Sequence, residues 1–373
     1  MIYLDNAATS FPKPEIVYKA CDYALRNSVN PGRGAYPIAM DSARMIFSCR
    51  NTIKDFINAE STRNIVLTKN CTEGLNIAIF GALSPGDHVV TTVLEHNSIL
   101  RPLHEMEMRG VDVTYVEPKG DLTKEILKAI KPNTAMVAIS HIDNLVGYLK
   151  NIDTIGNSLN PNILFLVDAA QSIGHVKIDV QMSKIDLLAA PGHKGLYGPM
   201  GTGFLYVKEP ERITTFMVGG TGSESANPIQ PNFSPDKFEA GTLAVPVFHA
   251  LEKGIKFINE ESIEKIGGKI HALAKRLYDG LKEIDGVKIY SLDGEITSVV
   301  SINIKSLDSG FVADKLANEY GIATRSQIHC APLAHRFFGT IDTGMVRFTP
   351  GYFTTEEEID QTVLAVKKIV EEN

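Results

Sequence analysis

The sequence predicts an α/β protein with a mostly parallel sheet, and two observations lead to this fold class. Short apolar runs rich in Val, Ile and Leu recur between about residues 64 and 207, and helical stretches such as 72–83 and 123–130 separate several of them. This alternation is typical of a parallel sheet covered by helices on both faces, in which ligands bind beyond the carboxyl ends of the strands. The predicted strands are NIVLT, DHVVTTV, VDVTYVE, TAMVAIS, ILFLVDAA, DLLAAP and GFLYVK.

The last third of the chain predicts a second, smaller α+β domain. A stretch from about 211 to 242 is dense in Gly, Ser, Asn and Pro and predicts a long loop. The strands VKIYS, SVVSINI and MVRFTP follow, and a final helix starts at the capping box Thr355–Glu358. The helix before these strands has one apolar face, made of Ile266, Ile270, Leu273, Leu277 and Leu281. We divide the chain into an N-terminal arm (1–20), a large domain (21–255) and a small domain (256–373).

Composition excludes several classes of protein. The 373 residues are 44% hydrophobic and 22% charged, with a net charge of −7, which fits a two-domain globular protein and argues against a nucleic-acid surface. No apolar run approaches the ~20 residues that span a bilayer, and the N-terminus lacks the pattern of a signal peptide. We therefore expect a cytoplasmic protein that binds neither nucleic acid nor membrane.

The four cysteines predict free thiols and no metal site. They are widely spaced, with no CxxC pair, and the chain contains no HExxH. The sequence also lacks GxxxxGK[ST], and its glycines do not fit GxGxxG, so no nucleotide-binding motif competes with other interpretations.

Polar residues follow two of the predicted strands where ligands are expected. Asp168 ends a buried strand and is followed by Gln171, and a buried aspartate is costly unless it meets a positive partner. Lys194 lies among glycines after the next strand, where burial or nearby cations would lower its pKa and allow it to form a Schiff base.

Two earlier strand ends carry further candidates. Thr72 and Glu73 open a predicted helix, whose free N–H groups and dipole favour a phosphate, and His96 follows the next strand, where its ring could stack on a planar ligand. Each residue also has a structural interpretation, because such residues commonly cap helices or are simply buried polar groups. In order, however, they supply a phosphate cup, a ring stacker, an acidic partner and a lysine, which are the parts that a pyridoxal phosphate (PLP) enzyme needs.

Nearly the whole chain resembles the class V aminotransferases of PLP fold type I, and within them the cysteine desulfurases and selenocysteine lyases. The motifs YLDNAATSFPKP, TEGLN, LEHNS, HIDNLVG, VDAAQ, GHKGLYGPMGTG, FEAGT and RSQIHCAP follow in the family's order. The short segment between Cys330 and Arg347 places it nearest the SUF-type branch. The resemblance implies a large domain with a mostly parallel seven-stranded sheet and a small domain that carries the catalytic cysteine.

The resemblance implies a PLP site with a role for each candidate. Lys194 would hold the cofactor, Asp168 would bind its ring nitrogen, Gln171 its ring hydroxyl, and His96 would stack on the ring. The resemblance also implies a homodimer. The residues expected around the phosphate are Thr72 and His193, the neighbouring Cys71 and Glu73, and Thr242 from the dimer partner.

The substrate residues are likewise implied by the resemblance. Asn144 and Arg347 would position an amino acid, Arg347 by pairing with its carboxylate, and Arg325, Asn6 and Ala7 complete the expected substrate set. Lys194 would move the Cα proton, and His96 would take the proton of the substrate thiol.

Cys330 is the expected nucleophile. Arg325, Cys330 and Ala331 match the family pattern R-x-G-x-x-C-A, with Gln327 in place of its glycine, and Pro191 replaces a serine that contacts the phosphate. Attack of the Cys330 thiolate on the sulfur of L-cysteine would leave a persulfide and release alanine, and the sulfur would pass to an acceptor protein or a small thiol.

The sequence leaves three alternatives open. The first is a selenocysteine lyase acting on L-selenocysteine, the second is another class V reaction such as transamination or β-elimination, and the third is a non-catalytic protein that kept the fold.

Overall fold

The computed structural model describes residues 1–32, 34–292 and 296–373, and its centre is a seven-stranded sheet in the order β2-β8-β7-β6-β5-β3-β4. Strand β8 runs antiparallel to both neighbours and the other pairs are parallel, so the predicted mostly parallel sheet is confirmed. The strands are β2 (Ile65–Thr68), β3 (His88–Thr92), β4 (Asp112–Val116), β5 (Thr134–Ser140), β6 (Leu164–Asp168), β7 (Leu187–Pro191) and β8 (Gly203–Val207).

Helices cover both faces of this sheet, which is why its inner strands are apolar throughout. In β2, Val66 belongs to one core, whereas Ile65 and Leu67 belong to the core on the opposite face. Side chains of consecutive strand residues point to opposite faces, so both faces need apolar residues. The helices of this part of the chain are α1 (Glu15–Asn27), α2 (Pro37–Phe56), α3 (Cys71–Ala82), α4 (Asn97–Glu107), α5 (Leu122–Lys128), α6 (Ile152–Ser158) and α7 (Val245–Glu261).

The C-terminal part forms a second, smaller unit around the antiparallel sheet β12-β10-β9. The predicted apolar face of α8 is buried, and the predicted capping box opens α11, where Thr355 and Glu358 exchange two hydrogen bonds. The elements are α8 (Ile263–Lys282), β9 (Val287–Tyr290), β10 (Val300–Ile304), α9 (Ser309–Tyr320), β11 (Ile322–Ala323), α10 (Pro332–Phe338), β12 (Val346–Phe348) and α11 (Glu356–Glu371).

The N-terminal arm joins this second unit. Strand β1 (Ile2–Tyr3) pairs in parallel with β11, directly before the segment that carries Cys330. Helix α1 then packs on α7 in the large unit. The boundaries predicted at 20/21 and 255/256 fall inside α1 and α7, because each helix continues through them, and the division into three parts stays a prediction.

The predicted long loop is present. Residues 213–244 contain no helix or strand and lie between a 3₁₀ turn (Pro210–Arg212) and α7. Among the described helices, none is long and apolar enough to cross a membrane.

Candidate active site

A cleft of about 520 Å³ lies at the carboxyl ends of the sheet strands, where the fold class places ligands. Residues that follow β2, β3, β5, β6 and β7 meet there, although they are far apart in sequence. The lining includes Cys71, Thr72, His96, Asn144, Asp168, Gln171, His193 and Lys194. The structure therefore brings together most of the predicted cofactor residues.

Asp168 is the last residue of β6 and is only 3% exposed. Its Oδ1 accepts a hydrogen bond from the Ala170 N–H at 2.8 Å. Burial raises the pKa of its carboxyl group, while the Ala170 hydrogen bond and the charge of Lys194 lower it. A cation or a proton donor beside this buried carboxylate would therefore stabilise its charged form, and the protonated ring nitrogen of a pyridinium cofactor would do so.

Lys194 lies on a glycine-rich turn that follows β7. A Cβ on Gly195 would lie 2.0 Å from the Ile173 carbonyl oxygen, so only glycine allows the turn to pack here. Burial lowers the pKa of the Lys194 ammonium to about 8, and the charges of Arg347 and Arg325 act in the same direction. The predicted shift is therefore found, and it leaves an appreciable fraction of free amine at neutral pH.

His96 is the N-cap of α4 and is neutral at pH 7. Burial lowers its pKa to about 4, and the charge of Lys194 adds to this effect. Its Nδ1 accepts a hydrogen bond from the Ser98 N–H at 3.0 Å, so the neutral ring carries its proton on Nε2. The geometry suits a stacking ring that donates a hydrogen bond. The predicted role of His96 as proton acceptor from the substrate thiol stays a prediction, and it requires Nε2 to release its proton first.

A buried ion pair supports the strand ends beneath the cleft. Glu95 Oε2 accepts the Ser140 N–H at 2.6 Å, and Lys150 Nζ lies 3.4 Å from Glu95 Oε1 and donates to Ser140 Oγ at 2.8 Å. Ser140 is also the register partner of Asp168 in the adjoining strands. The pair therefore ties the end of β3, and with it His96, to the strand end that presents Asp168.

The N-termini of α3 and α4 meet beside the cleft, and the sequence predicts a phosphate site at the start of α3. Thr72 Oγ1 and Ser98 Oγ lie 2.8 Å apart, which joins the first turns of the two helices. The N-terminus of α3 and the dipoles of both helices favour an anion at this place. The first N–H groups of α4 are already bonded, that of Asn97 to the Cys330 carbonyl and that of Ser98 to His96 Nδ1. Glu73 does not line the cleft, because its carboxylate turns back to accept the Lys69 N–H at 2.5 Å.

The remaining phosphate candidates differ in position. His193 lines the cleft, and its Nδ1 is buried without a hydrogen-bond partner in the described part of the chain. Burial lowers the pKa of its ring to about 4. Thr242 is exposed before α7 and does not line the cleft of its own chain. Its predicted contact from a dimer partner stays a prediction.

Arg347 is held by two groups that the sequence did not connect with it. It is 2% exposed, its Nη2 donates to Asp5 Oδ1 at 3.0 Å, and its Nη1 donates to the Asn144 carbonyl at 2.8 Å. Its Nε has no partner among the described residues. Asp5 is the residue that sequence reasoning missed. Its only sequence signal was a carboxylate in the motif YLDNAAT, three residues after the start of β1.

The N-terminal arm also reaches the lysine turn. The Gln171 side chain donates to the Ala7 carbonyl at 3.0 Å, and Asn6 Nδ2 donates to the Thr349 carbonyl at 3.0 Å. A second pocket is lined by Lys194 together with Asn6, Ala7 and Gln171. The arm residues predicted for the substrate are thus next to the lysine, and they also connect it to the strand of Arg347.

Cys330 lies in a strained segment next to the cleft. Gln327, His329 and Cys330 have φ angles of 76°, 53° and 56°, in the left-handed region that favours glycine. The Asn97 N–H donates to the Cys330 carbonyl at 2.7 Å, and Asn144 Nδ2 donates to the His329 carbonyl at 2.7 Å. These two bonds hold the segment against α4 and the loop after β5.

The half-buried Cys330 lines a surface groove of about 760 Å³ rather than the cleft itself. The groove and the cleft share Thr72, His96 and Ser98, so the two spaces adjoin. Arg325 pairs through its backbone with Arg347, and its guanidinium has no hydrogen bond or ion pair within the described residues.

The donor set of the cleft fits a phosphorylated pyridine aldehyde. Asp168 suits a ring nitrogen, the Lys194 amine suits an aldehyde, and the unpartnered His193 Nδ1 lines the same cleft as the N-terminus of α3, which suits a phosphate. No cluster of three or more His, Cys, Asp or Glu side chains that could hold a metal occurs within residues 1–32, 34–292 and 296–373.

Comparisons with known proteins identify the family of the chain. The family model described as aminotransferase class-V matches residues 2–362. A probable cysteine desulfurase of Methanothermobacter thermautotrophicus is 36% identical, over 96% of this chain and 92% of its own. The apo structure of a cysteine desulfurase from Thermococcus onnurineus matches with a TM-score of 0.92 and 31% identity, over 100% of this chain and 95% of that one.

A second solved structure gives the same result. The cysteine desulfurase CsdA from Escherichia coli, with an S-sulfonic acid, matches with a TM-score of 0.87 and 26% identity, over 99% of this chain and 94% of that one. The chain belongs to the class V aminotransferase family and has the fold type I architecture of PLP-dependent enzymes, among relatives named cysteine desulfurases.

Proposed function

We propose that this protein is a PLP-dependent cysteine desulfurase that converts L-cysteine to L-alanine and leaves a persulfide on Cys330. One observation carries the proposal. A cleft lined by Asp168, Lys194 and His96 adjoins a groove lined by Cys330, and the two spaces share His96. A cysteine in that position is required for sulfur transfer, but not for transamination.

The chain's residues divide the work as follows. Asp168 binds the ring nitrogen, the N-terminus of α3 at Thr72 binds the phosphate with His193, and Lys194 binds the aldehyde and then moves the Cα proton of the substrate. When bound, PLP supplies an electron-withdrawing ring that accepts the electron pair released at the substrate carbon.

Substrate binding uses two arginines whose charges act on Lys194, although neither lines the cleft. The free guanidinium of Arg325 and the unpaired Nε of Arg347 provide cationic donors near Lys194, which suit the single carboxylate of an amino acid. His96 covers the ring, with its Nε2–H as a donor.

The sulfur step belongs to Cys330. Its thiolate attacks the substrate sulfur, a sulfur–sulfur bond forms, and the carbon–sulfur bond breaks with its electron pair left on carbon, which takes a proton to give alanine. Because Cys330 lines the groove, the step requires the segment 327–330 to turn its thiol toward the cleft. The adjoining groove then gives an acceptor thiol access to the persulfide.

Three further features belong to this proposal. The protein acts as a homodimer in which Thr242 of one protomer reaches the other's phosphate site, and the persulfide passes to an acceptor protein or a small thiol. A cytoplasmic location suits chemistry that needs a free thiol.

The test is alanine release from L-cysteine and from L-selenocysteine, for the wild type and Cys330→Ala. We expect the variant to lose turnover of cysteine. Turnover of selenocysteine alone, equal in both proteins, would assign the chain to selenium delivery instead. A keto-acid product would indicate transamination or β-elimination, and purified protein that binds no PLP would indicate a non-catalytic role.

A further inference from the structure

The side chain of Cys71 contacts the residue that would bind the cofactor's ring nitrogen. Cys71 is the first residue of α3 and is 7% exposed, and its Sγ lies 3.4 Å from Asp168 Oδ1. The family resemblance implies only that Cys71 lies beside the phosphate. The contact gives the thiol itself a connection to the cleft.

The thiol is the donor in this contact. Burial raises the pKa of Cys71 well above its usual value, and the charge of Asp168 raises it further, so the sulfur keeps its proton at neutral pH. An ionised carboxylate can only accept, so the S–H donates to Oδ1. The Ala170 N–H donates to the same oxygen at 2.8 Å.

Both donors reach one oxygen of the carboxylate and leave the other for a ligand. Within the described part of the chain, no hydrogen bond reaches Asp168 Oδ2, and Asp168 lines the cleft. The two donors thus fix the rotation of the carboxylate. They also stabilise its ionised form against the cost of burial.

We propose that Cys71 is a positioning residue that orients Asp168 and keeps it ionised for the ring nitrogen of the cofactor. This inference rests on the proposed function, because it requires a pyridine cofactor in the cleft. It predicts that cofactor binding depends on a hydrogen-bond donor at position 71 and not only on the volume of the sulfur.

A packing role is the competing explanation, since Cys71 also belongs to the apolar core that contains Val66 and Leu75. Two substitutions separate the explanations. Cys71→Ala removes the donor and the sulfur, whereas Cys71→Ser removes the sulfur but keeps a donor of similar length. Cys49→Ala is the matched control, because Cys49 is a fully buried thiol on α2 that does not line the cleft.

The experiment titrates apo protein with PLP and records cofactor absorbance, first at pH 7.5 and then across a pH series. We expect Cys71→Ala to weaken cofactor binding by about 5-fold, a modest factor because a thiol is a weak hydrogen-bond donor, and to shift the pH dependence of the absorbance. Cys71→Ser and Cys49→Ala should stay within about 2-fold of the wild type. Thermal unfolding of each apo variant checks that it is folded.

Equal losses in Cys71→Ala and Cys71→Ser would overturn the inference in favour of packing, and binding unchanged in Cys71→Ala would also overturn it. Both results leave the proposed function intact. Only a wild type that fails to bind PLP would remove the proposed function together with this inference.

Discussion

The ion pair between Asp5 and Arg347 gives the sharpest stability prediction. Asp5→Asn removes the carboxylate charge from a guanidinium that is 2% exposed. Breaking a buried pair by removing one partner costs about 3–5 kcal/mol, because the other charge is left uncompensated. Asp5 is 20% exposed on its side chain, and asparagine can still accept from Nη2. We therefore expect the free energy of unfolding to fall by about 2–3 kcal/mol, at or below the lower end of that range.

The assay is urea unfolding of the apo protein at pH 7, with the midpoint compared between variants. Asp360→Asn is the matched control. This substitution breaks the ion pair with Arg276, in which the side chain of Asp360 is 52% exposed and that of Arg276 is 46% exposed. Surface ion pairs of this kind contribute under about 1 kcal/mol to the free energy of unfolding. For L-cysteine we expect Asp5→Asn to raise KM about 10-fold with little change in kcat, since a neutral amide would hold the Arg347 guanidinium less firmly than the carboxylate does. Equal midpoints for the two variants would refute the importance of the pair.

Three further predictions follow from local conformation and charge. The rate of PLP uptake by apo protein should rise about tenfold per pH unit below pH 8 and level off above it, because the free amine of Lys194 reacts; a rate independent of pH between 6 and 8 would contradict the depressed pKa. Gln327→Gly should leave stability unchanged or raise it by up to about 1 kcal/mol, since glycine accepts a φ of 76° without strain; a loss above about 1 kcal/mol, measured by urea unfolding, would show that the strain argument fails. Burial lowers the pKa of His141 and His329 to about 3 in the folded protein. As the pH drops below about 6.5, the two rings therefore take up protons in the unfolded chain but not in the folded one, and the free energy of unfolding falls until about pH 3. At pH 5 each ring should cost about 2 kcal/mol relative to pH 7, and His141→Gln should reduce this pH dependence by that amount.

Periodicity and strand ends made much of the architecture predictable. Apolar runs identified all seven strands of the large sheet, and the capping box identified the start of α11. The carboxyl ends of parallel strands converge, so Asp168, Lys194 and His96 could be placed in one cleft from sequence.

Contacts between distant segments were not predictable. The Asp5–Arg347 pair joins residues 342 positions apart, and no local pattern specifies such a pairing. Glu73 shows that a local pattern can also predict a ligand contact that the structure does not have. Its position at a helix start suggested a ligand contact, but a helix-start carboxylate can equally bind a nearby backbone N–H, here that of Lys69.

The backbone conformation of the segment that carries Cys330 was also not predictable from the sequence. The spacing from Arg325 identified the cysteine, but the three left-handed residues depend on the hydrogen bonds from Asn97 and Asn144, which no local pattern predicts. The same hydrogen bonds place Cys330 in the groove beside the cleft, which no spacing rule indicates.

The most direct test of the central claim is mass spectrometry of the protein after a single turnover with L-cysteine, without reductant. We expect one additional sulfur atom on the peptide that contains Cys330, in amounts equal to the alanine released. Cys21→Ala, which removes another half-buried thiol, should behave like the wild type. Alanine formed in full by Cys330→Ala, or added sulfur found only on another cysteine, would contradict the assignment of Cys330 as the sulfur-accepting nucleophile.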